Sequence, residues 1–287
     1  MDRLAAGEAF ADLLSWRKVV VSGPEANTWL NSLISADISD LAPGQARRSL
    51  LLSPTGRVRA EFTVAVLSEG LLLLQDPVQL QSVSDLLSPY ILSSDVQLSD
   101  RSAELALFAF PGRPEPPVVE GTQISSPSCL GRGSDLLAPA EAHQRLIDSL
   151  ADVCSLVEAE VVEQWRIEVG IPRVGIDATG DDLPQEGGLT DEVSFGKGCY
   201  LGQEAVAKVS NLGHPRRILL HLRASGPVSS GDSLNVYGRA AGRVTSAAHK
   251  GSGSVVLAKI TWPERGGPFR TALGVSVTAF SRRGGWP

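Results

Sequence analysis

Apolar positions along this chain fall into strand-like runs and helically spaced stripes, and the turn residues between them predict its elements. Arg17 to Ser22 is a β-branched run that reads as a strand. Ser22-Gly23-Pro24-Glu25 then reads as a helix start with proline in the first turn. Ala26, Trp29, Leu30, Leu33 and Ile34 follow at helical spacing, so one face of that helix is expected in the core. Leu41-Ala42-Pro43-Gly44 breaks the pattern. Arg48 to Leu52, Arg57 to Leu67 and Leu71 to Asp76 are then strand-like, separated by Pro54-Thr55-Gly56 and Ser68-Glu69-Gly70, which predicts antiparallel hairpins. Pro77 is expected to open an amphipathic helix carrying Val78, Val83, Leu86, Leu87, Tyr90 and Ile91, and strands return at Asp95 to Ser99 and Glu104 to Phe110.

Residues 111–133 are rich in Pro, Gly and Ser and read as a long connection or an edge. Ser134 to Ala138 is a predicted strand. Helices are predicted from Pro139 to about Leu150 and from Leu156 to Ile171, the second with Val162, Trp165 and Val169 on one face. Pro172 to Glu192 is a glycine- and acid-rich loop. After His214-Pro215 the pattern changes to short strands with glycine turns, at 218–223, 233–237, 242–247, 254–260 and 275–280, which predicts a small antiparallel barrel or sandwich. The boundary falls near Gly213, giving regions 1–212 and 213–287.

Composition narrows the function classes. Apolar residues make up 43% and charged residues 20%, inside the ordinary globular range, and no apolar run approaches the ~20 residues of a membrane span. The first residues mix Asp2, Glu8 and Asp12 with apolar side chains and read as mature sequence, so a cytoplasmic protein with no membrane partner is expected. The three cysteines, Cys129, Cys154 and Cys199, are far apart, and neither a disulfide framework nor a metal site is expected from them. Net charge is −6, which gives no push toward direct nucleic-acid binding; Arg47-Arg48 and Arg216-Arg217 are short basic pairs that read as solvated surface.

The densest chemistry lies in Phe195-Gly196-Lys197-Gly198-Cys199-Tyr200-Leu201-Gly202-Gln203-Glu204-Ala205-Val206-Ala207-Lys208. Gly196, Gly198 and Gly202 are expected to shape a loop, since glycine admits positive φ and close backbone approach. A nearby ammonium favours thiolate over thiol, so Lys197 beside Cys199 marks a candidate reactive cysteine. The alternative is a turn into a helix with a buried structural cysteine.

Lys197-Gly198-Cys199-Tyr200-x-Gly202-Gln203-Glu204, preceded by Leu183-Pro184-Gln185-Glu186 and followed by a basic residue at Lys208, resembles the signature of the YgfZ family. That family comprises folate-binding proteins that support iron–sulfur cluster enzymes, and it is related in fold to the T-protein, the aminomethyltransferase of the glycine cleavage system. The family often has arginine at the position of Lys208; the charge is kept here without the planar fork. The resemblance implies an α+β fold, with intertwined antiparallel-sheet and helix domains of the T-protein-like folate-binding type and a small C-terminal β-barrel. It also implies tetrahydrofolate or a one-carbon derivative as cofactor.

Trp16 and Trp165 match positions where the family's folate site has tryptophan, and flat aromatic faces with a few polar anchors suit a pterin. Core packing is the other reading of both. Glu163, Gln164, Gln185 and Glu186 are candidate partners for the pterin edge, and Arg166 for the glutamate tail. T-proteins resemble this chain around Gly56 and carry there a Gly-x-x-x-Asp-Asp pattern that supplies an acid at the folate nitrogen. Here those slots hold Ala60 and Glu61, and alanine has no ionisable group.

Three readings follow. The first is a tetrahydrofolate-binding accessory protein that supports synthesis or repair of iron–sulfur clusters in client enzymes, tRNA-modifying ones included, with Cys199 as its thiol. The second is a folate-dependent aminomethyltransferase or other one-carbon transferase. The third is a folate-binding scaffold without catalysis.

Overall fold

The computed structural model describes residues 2–281. In chain order its elements are α1 (Asp2–Ala5), β1 (Ala9–Asp12), β2 (Arg17–Ser22), α2 (Ala26–Leu33), β3 (Ala46–Leu52), β4 (Val58–Leu67), β5 (Gly70–Gln75), α3 (Val83–Leu87) and β6 (Gln97–Asp100). Then come β7 (Leu105–Phe110), β8 (Gln123–Ser125), β9 (Ser134–Pro139), α4 (His143–Ala151), β10 (Ser155–Val157), α5 (Ala159–Glu168) and α6 (Gln203–Leu212). The last strands are β11 (Arg217–Ala224), β12 (Ser233–Val236), β13 (Arg239–Lys250), β14 (Gly253–Thr261), β15 (Phe269–Thr271) and β16 (Ser276–Ser281).

Two five-stranded sheets form, one in the order β10-β1-β7-β9-β8 and the other β3-β4-β5-β2-β6, and β11-β14-β13-β12-β15-β16 close into a barrel. The chain divides into two compact units with interleaved segments. The first comprises Met1–Leu51, Ala60–Val162 and Gly196–Leu201; the second comprises Leu52–Arg59, Glu163–Phe195 and Gly202–Pro287. The fold is thus α+β with a closed C-terminal barrel, as the family resemblance implies, and of the barrel or sandwich that the strand pattern left open the barrel forms. Among the described residues no helix is long and apolar enough to cross a membrane.

In the first unit, Trp29 and Leu30 of α2 pack with Val19 and Val21 of β2 and with Ala60, Phe62 and Val64 of β4, the alternate residues that one sheet face presents. Trp29 anchors the helix by donating its indole N–H to the Tyr90 carbonyl at 2.9 Å. A second cluster takes the opposite sheet face, Val20, Ala65, Leu72 and Leu74, together with Trp16 and Leu107. The predicted hairpins are present: β4 and β5 pair antiparallel from Thr63–Leu74 to Leu67–Gly70.

Three local expectations change. The helix expected from Pro77 starts at Val83, capped by Ser82 Oγ, which accepts the Asp85 N–H. Residues 77–81 instead form a turn held by glutamines, in which Gln79 Oε1 accepts the Glu61 N–H and Gln75 Oε1 accepts the Val83 N–H. The stretch from Leu156 is also divided: Ser155–Val157 pairs parallel with β1, because the edge of β1 offers backbone partners, and the helix runs only over Ala159–Glu168. In the barrel, β15 is an extra strand, too short to register as a periodic run.

Candidate functional site

Within the first unit, the signature loop is braced by its lysine. Lys197 Nζ donates to the carbonyls of Asn31 (2.7 Å), Ile34 (2.9 Å) and Ala36 (2.7 Å), and reaches the Asn31 side-chain oxygen at 3.1 Å. Those carbonyls lie at and just beyond the C-terminus of α2, where helical oxygens lack intrahelical donors and the macrodipole favours a cation. Lys197 therefore caps α2. Burial pushes its pKa down to about 8 against the pull of Asp37, so it remains an ammonium at neutral pH. It also sits 5.6 Å from the ring centroid of Tyr200, whose side chain is buried. The signature lysine, expected to act on the thiol, is committed to backbone oxygens instead.

Cys199 is exposed, whereas Cys129 and Cys154 are buried. The neighbouring glycines do less than expected. A side chain at Gly196 or Gly198 would meet no atom within 4 Å, and neither takes a left-handed φ. Neither position requires glycine. Glu204 and Lys208 are exposed, one helical turn apart on α6.

Gly202, in the second unit, is different. Its φ is +80° and it stands at the N-cap of α6, where an added Cβ would lie 2.3 Å from the Ser53 carbonyl oxygen. Gly56 is the complementary position: φ +76°, with a Cβ 2.9 Å from that of Ala205. The 53–56 turn and the α6 N-terminus thus meet backbone to backbone, which accounts for glycine at both. Gln203 is the first residue of α6. Gln185 is buried; its Nε2 donates to the Val206 carbonyl (2.9 Å) and Ser210 Oγ (3.0 Å), while its Oε1 has no hydrogen-bond partner among the described residues. Glu186 pairs with Arg57 at 3.1 Å and accepts the Leu183 N–H.

The residues expected around a pterin divide between the units. Trp16, 9% exposed, packs in the apolar cluster with Leu13, Val20, Leu74 and Leu130. The turn that carries it is pinned by the buried Lys18, whose Nζ donates to the carbonyls of Leu14 (2.7 Å) and Trp16 (2.9 Å). Trp165, in the second unit, is 8% exposed. Gln164 beside it is exposed.

Arg166 is a hub of the second unit, and its sequence gave no hint of it. Its Nε and Nη2 donate to Glu163, its Nη1 to Asp177 (2.7 Å) and the Ile171 carbonyl (3.3 Å), and its Nη2 also to Ser246 (2.8 Å). A guanidinium has five N–H donors, and all are used. No donor remains for a glutamate tail, and Glu163 is shared further with Arg173 at 2.8 Å. Asp177, fully buried, also accepts hydrogen bonds from the hydroxyls of Thr245 and Ser246 on β13. Only the return of β13 to the loop makes Asp177 legible as part of a site.

The position of the T-protein acid is plain. Ala60 is fully buried in the α2-facing core, and Glu61, pointing to the other face of β4, is tied to Arg48 at 2.9 Å. A separate buried acid, Asp135, accepts from Ser128 Oγ (2.5 Å) and the Cys129 N–H (2.8 Å). Burial raises its pKa to about 6.

The architecture is that of the aminomethyltransferase T fold. The chain superposes on glycine cleavage system aminomethyltransferase T from Bartonella henselae with a TM-score of 0.82 at 19% identity, over 98% of this chain and 88% of that one. Residues 4–116 match the GCVT N-terminal domain family. By sequence the resemblance to the YgfZ family holds over most of the chain: it is 25% identical over 228 residues to the tRNA-modifying protein YgfZ of Yersinia enterocolitica, covering 73% of this chain and 69% of that protein. Further bacterial proteins of that name match as well. A chloroplastic protein of Arabidopsis thaliana is 24% identical over 272 residues, 86% of this chain, which spans 63% of that relative's length.

Proposed function

We propose that this protein binds tetrahydrofolate or a one-carbon derivative and supports synthesis or repair of iron–sulfur clusters in client enzymes, tRNA-modifying ones among them, with Cys199 as its working thiol. The observation that carries this reading is the presentation of the signature: one exposed thiol, next to a glycine at which even an added side chain would meet no atom within 4 Å, on a loop that Lys197 fastens to α2. Cys129 and Cys154 have no such access.

The folate residues fit the group in part. Trp16 of the first unit and Trp165 of the second are each the ring type that stacks on a pterin, and in the second unit the buried Gln185 Oε1 is an acceptor without a partner among the described residues, as a pterin N–H or amino group requires. Bound folate would contribute a one-carbon unit or a redox-active pterin. Arg166 holds its own unit together and is left out of the proposed site. Aminomethyl transfer is the less supported reading, because the acid slot is core alanine and the adjacent Glu61 is held in an ion pair with Arg48.

Tetrahydrofolate titration of the purified protein, paired with cluster-enzyme assays in cells lacking the native protein, tests both halves. Trp16→Ala and Trp165→Ala, in folded protein, should each weaken folate binding several-fold, since a stacked ring is worth about 0.5–1.5 kcal/mol beyond area burial. Cys199→Ser should bind folate normally and fail to support cluster enzymes. Unchanged folate affinity in both tryptophan variants rejects the site, and full cluster-enzyme activity with Cys199→Ser rejects the thiol's role.

A further inference from the structure

The arginine pair at 216–217 is solvent-accessible, as expected, and it also borders a cavity. In the second unit, Arg216 and Arg217 line a cavity of about 420 Å³ together with Arg57, Asp181, Glu186 and Thr261, a size in the range of small-ligand pockets. Arg57 is fixed by the Asp181 carbonyl (2.7 Å) and Glu186 (3.1 Å), and Arg217 by Asp182 (3.2 Å), contacts that leave donors on both guanidinium forks. Arg216 is exposed and makes no ion pair among the described residues. The wall thus holds two oriented guanidiniums and one uncommitted one.

A planar stack follows this wall along the chain, Trp262 directly after Thr261 and His214 two residues before Arg216. Arg217 pairs with Thr261 where β11 meets β14, and the Trp262 N–H donates to the Arg216 carbonyl at 2.9 Å, which ties the next residues together. There the His214 ring lies parallel to Trp262, with centroids 4.9 Å apart and planes inclined by 3°. The Arg265 guanidinium sits 3.9 Å from the Trp262 ring centroid. His214 and Arg265 are both exposed, so a further flat group can add to the stack.

We propose that this cavity binds a mononucleotide, with its phosphate on Arg216 and the neighbouring guanidiniums and its base on the His214–Trp262 stack. Guanidinium forks match phosphate geometry, and aromatic faces take any base. The carboxylates decide between a single nucleotide and a strand. Asp181 and Glu186 accept from ribose hydroxyls, but they would repel a continuous polyanion, as would the net charge of −6.

The test titrates the full-length protein with adenosine 5′-monophosphate, following the His214 ring signals by NMR, with inorganic phosphate, a single-stranded oligoadenylate and tetrahydrofolate as comparison probes. Saturable binding of the monophosphate that shifts His214 and weakens with added salt is expected. It should exceed phosphate binding by roughly ten-fold, the worth of a stacked base. Arg216→Glu, at an exposed position, should weaken the monophosphate about ten-fold or more by turning attraction into repulsion. His214→Ala should remove its advantage over phosphate. The proposal is overturned by absence of saturable binding, by binding indifferent to Arg216→Glu, or by an oligoadenylate that binds more tightly than the monophosphate. Displacement of the monophosphate by tetrahydrofolate also overturns it, because the cavity would then belong to the folate site.

Discussion

Lys197 Nζ lies 2.7 Å from the carbonyl oxygen of Asn31 and 3.1 Å from its side-chain oxygen, so the signature lysine closes the end of α2. Lys197→Met leaves the Asn31, Ile34 and Ala36 carbonyls without this donor, and an unsatisfied buried polar group costs about 1–3 kcal/mol. A lower denaturation midpoint with an unchanged slope is expected. Lys197→Arg should not restore it, since a planar fork cannot replace a compact ammonium among converging oxygens. Alkylation of Cys199 should not slow in Lys197→Met; slowing would show that the ammonium acts on the thiol.

The signature glycines should separate cleanly in mutagenesis. Gly202→Ala places a Cβ 2.3 Å from the Ser53 oxygen at a φ of +80°, so it should cost about 3 kcal/mol or more in strain and displacement. Gly198→Ala meets nothing and should stay within about 0.5 kcal/mol of the native protein. Thermal melts of the two variants, compared side by side, check this.

Asp135 gives a pH dependence with a defined sign. Its pKa is raised to about 6 in the folded protein, so the native state binds the extra proton between the ordinary carboxylate value and that point. Its stabilising contribution is fully present below about pH 4 and is lost as pH rises through about 6. Asp135→Asn should flatten that part of the stability profile, which denaturant titrations at pH 4, 5, 6 and 7 would reveal. An unchanged slope would mean that the carboxyl titrates normally.

Arg166 and Asp177 form a buried pair in which removing one partner strands the other. Arg166→Met should therefore destabilise by about 3–5 kcal/mol. Tetrahydrofolate affinity, measured at a temperature where the variant is folded, should be unaffected. A selective loss of affinity for polyglutamylated folate would instead return Arg166 to the ligand site.

Sequence alone determined the strand-like runs of β2 to β5 and the turns between them, the α2 stripe around Trp29 and Leu30, the strand-rich C-terminal region and the signature at 195–208. These are local facts, since the spacing of apolar residues fixes which face is buried and glycines fix where the chain turns. Tertiary structure decided what the polar groups do. Lys197 is two residues from Cys199 in sequence, yet its proton donors go to a helix end more than 160 residues earlier, as its bond to Asn31 shows. Gly202 and Gly198 look alike in sequence, and only the approach of the 53–56 turn makes one indispensable and leaves the other in open space. Arg166 reads as an ordinary helix arginine until Asp177 and Ser246 converge on it. A hydrogen bond needs its partner within about 3 Å in a fixed direction, and that requirement is met by chain segments whose meeting no local periodicity encodes.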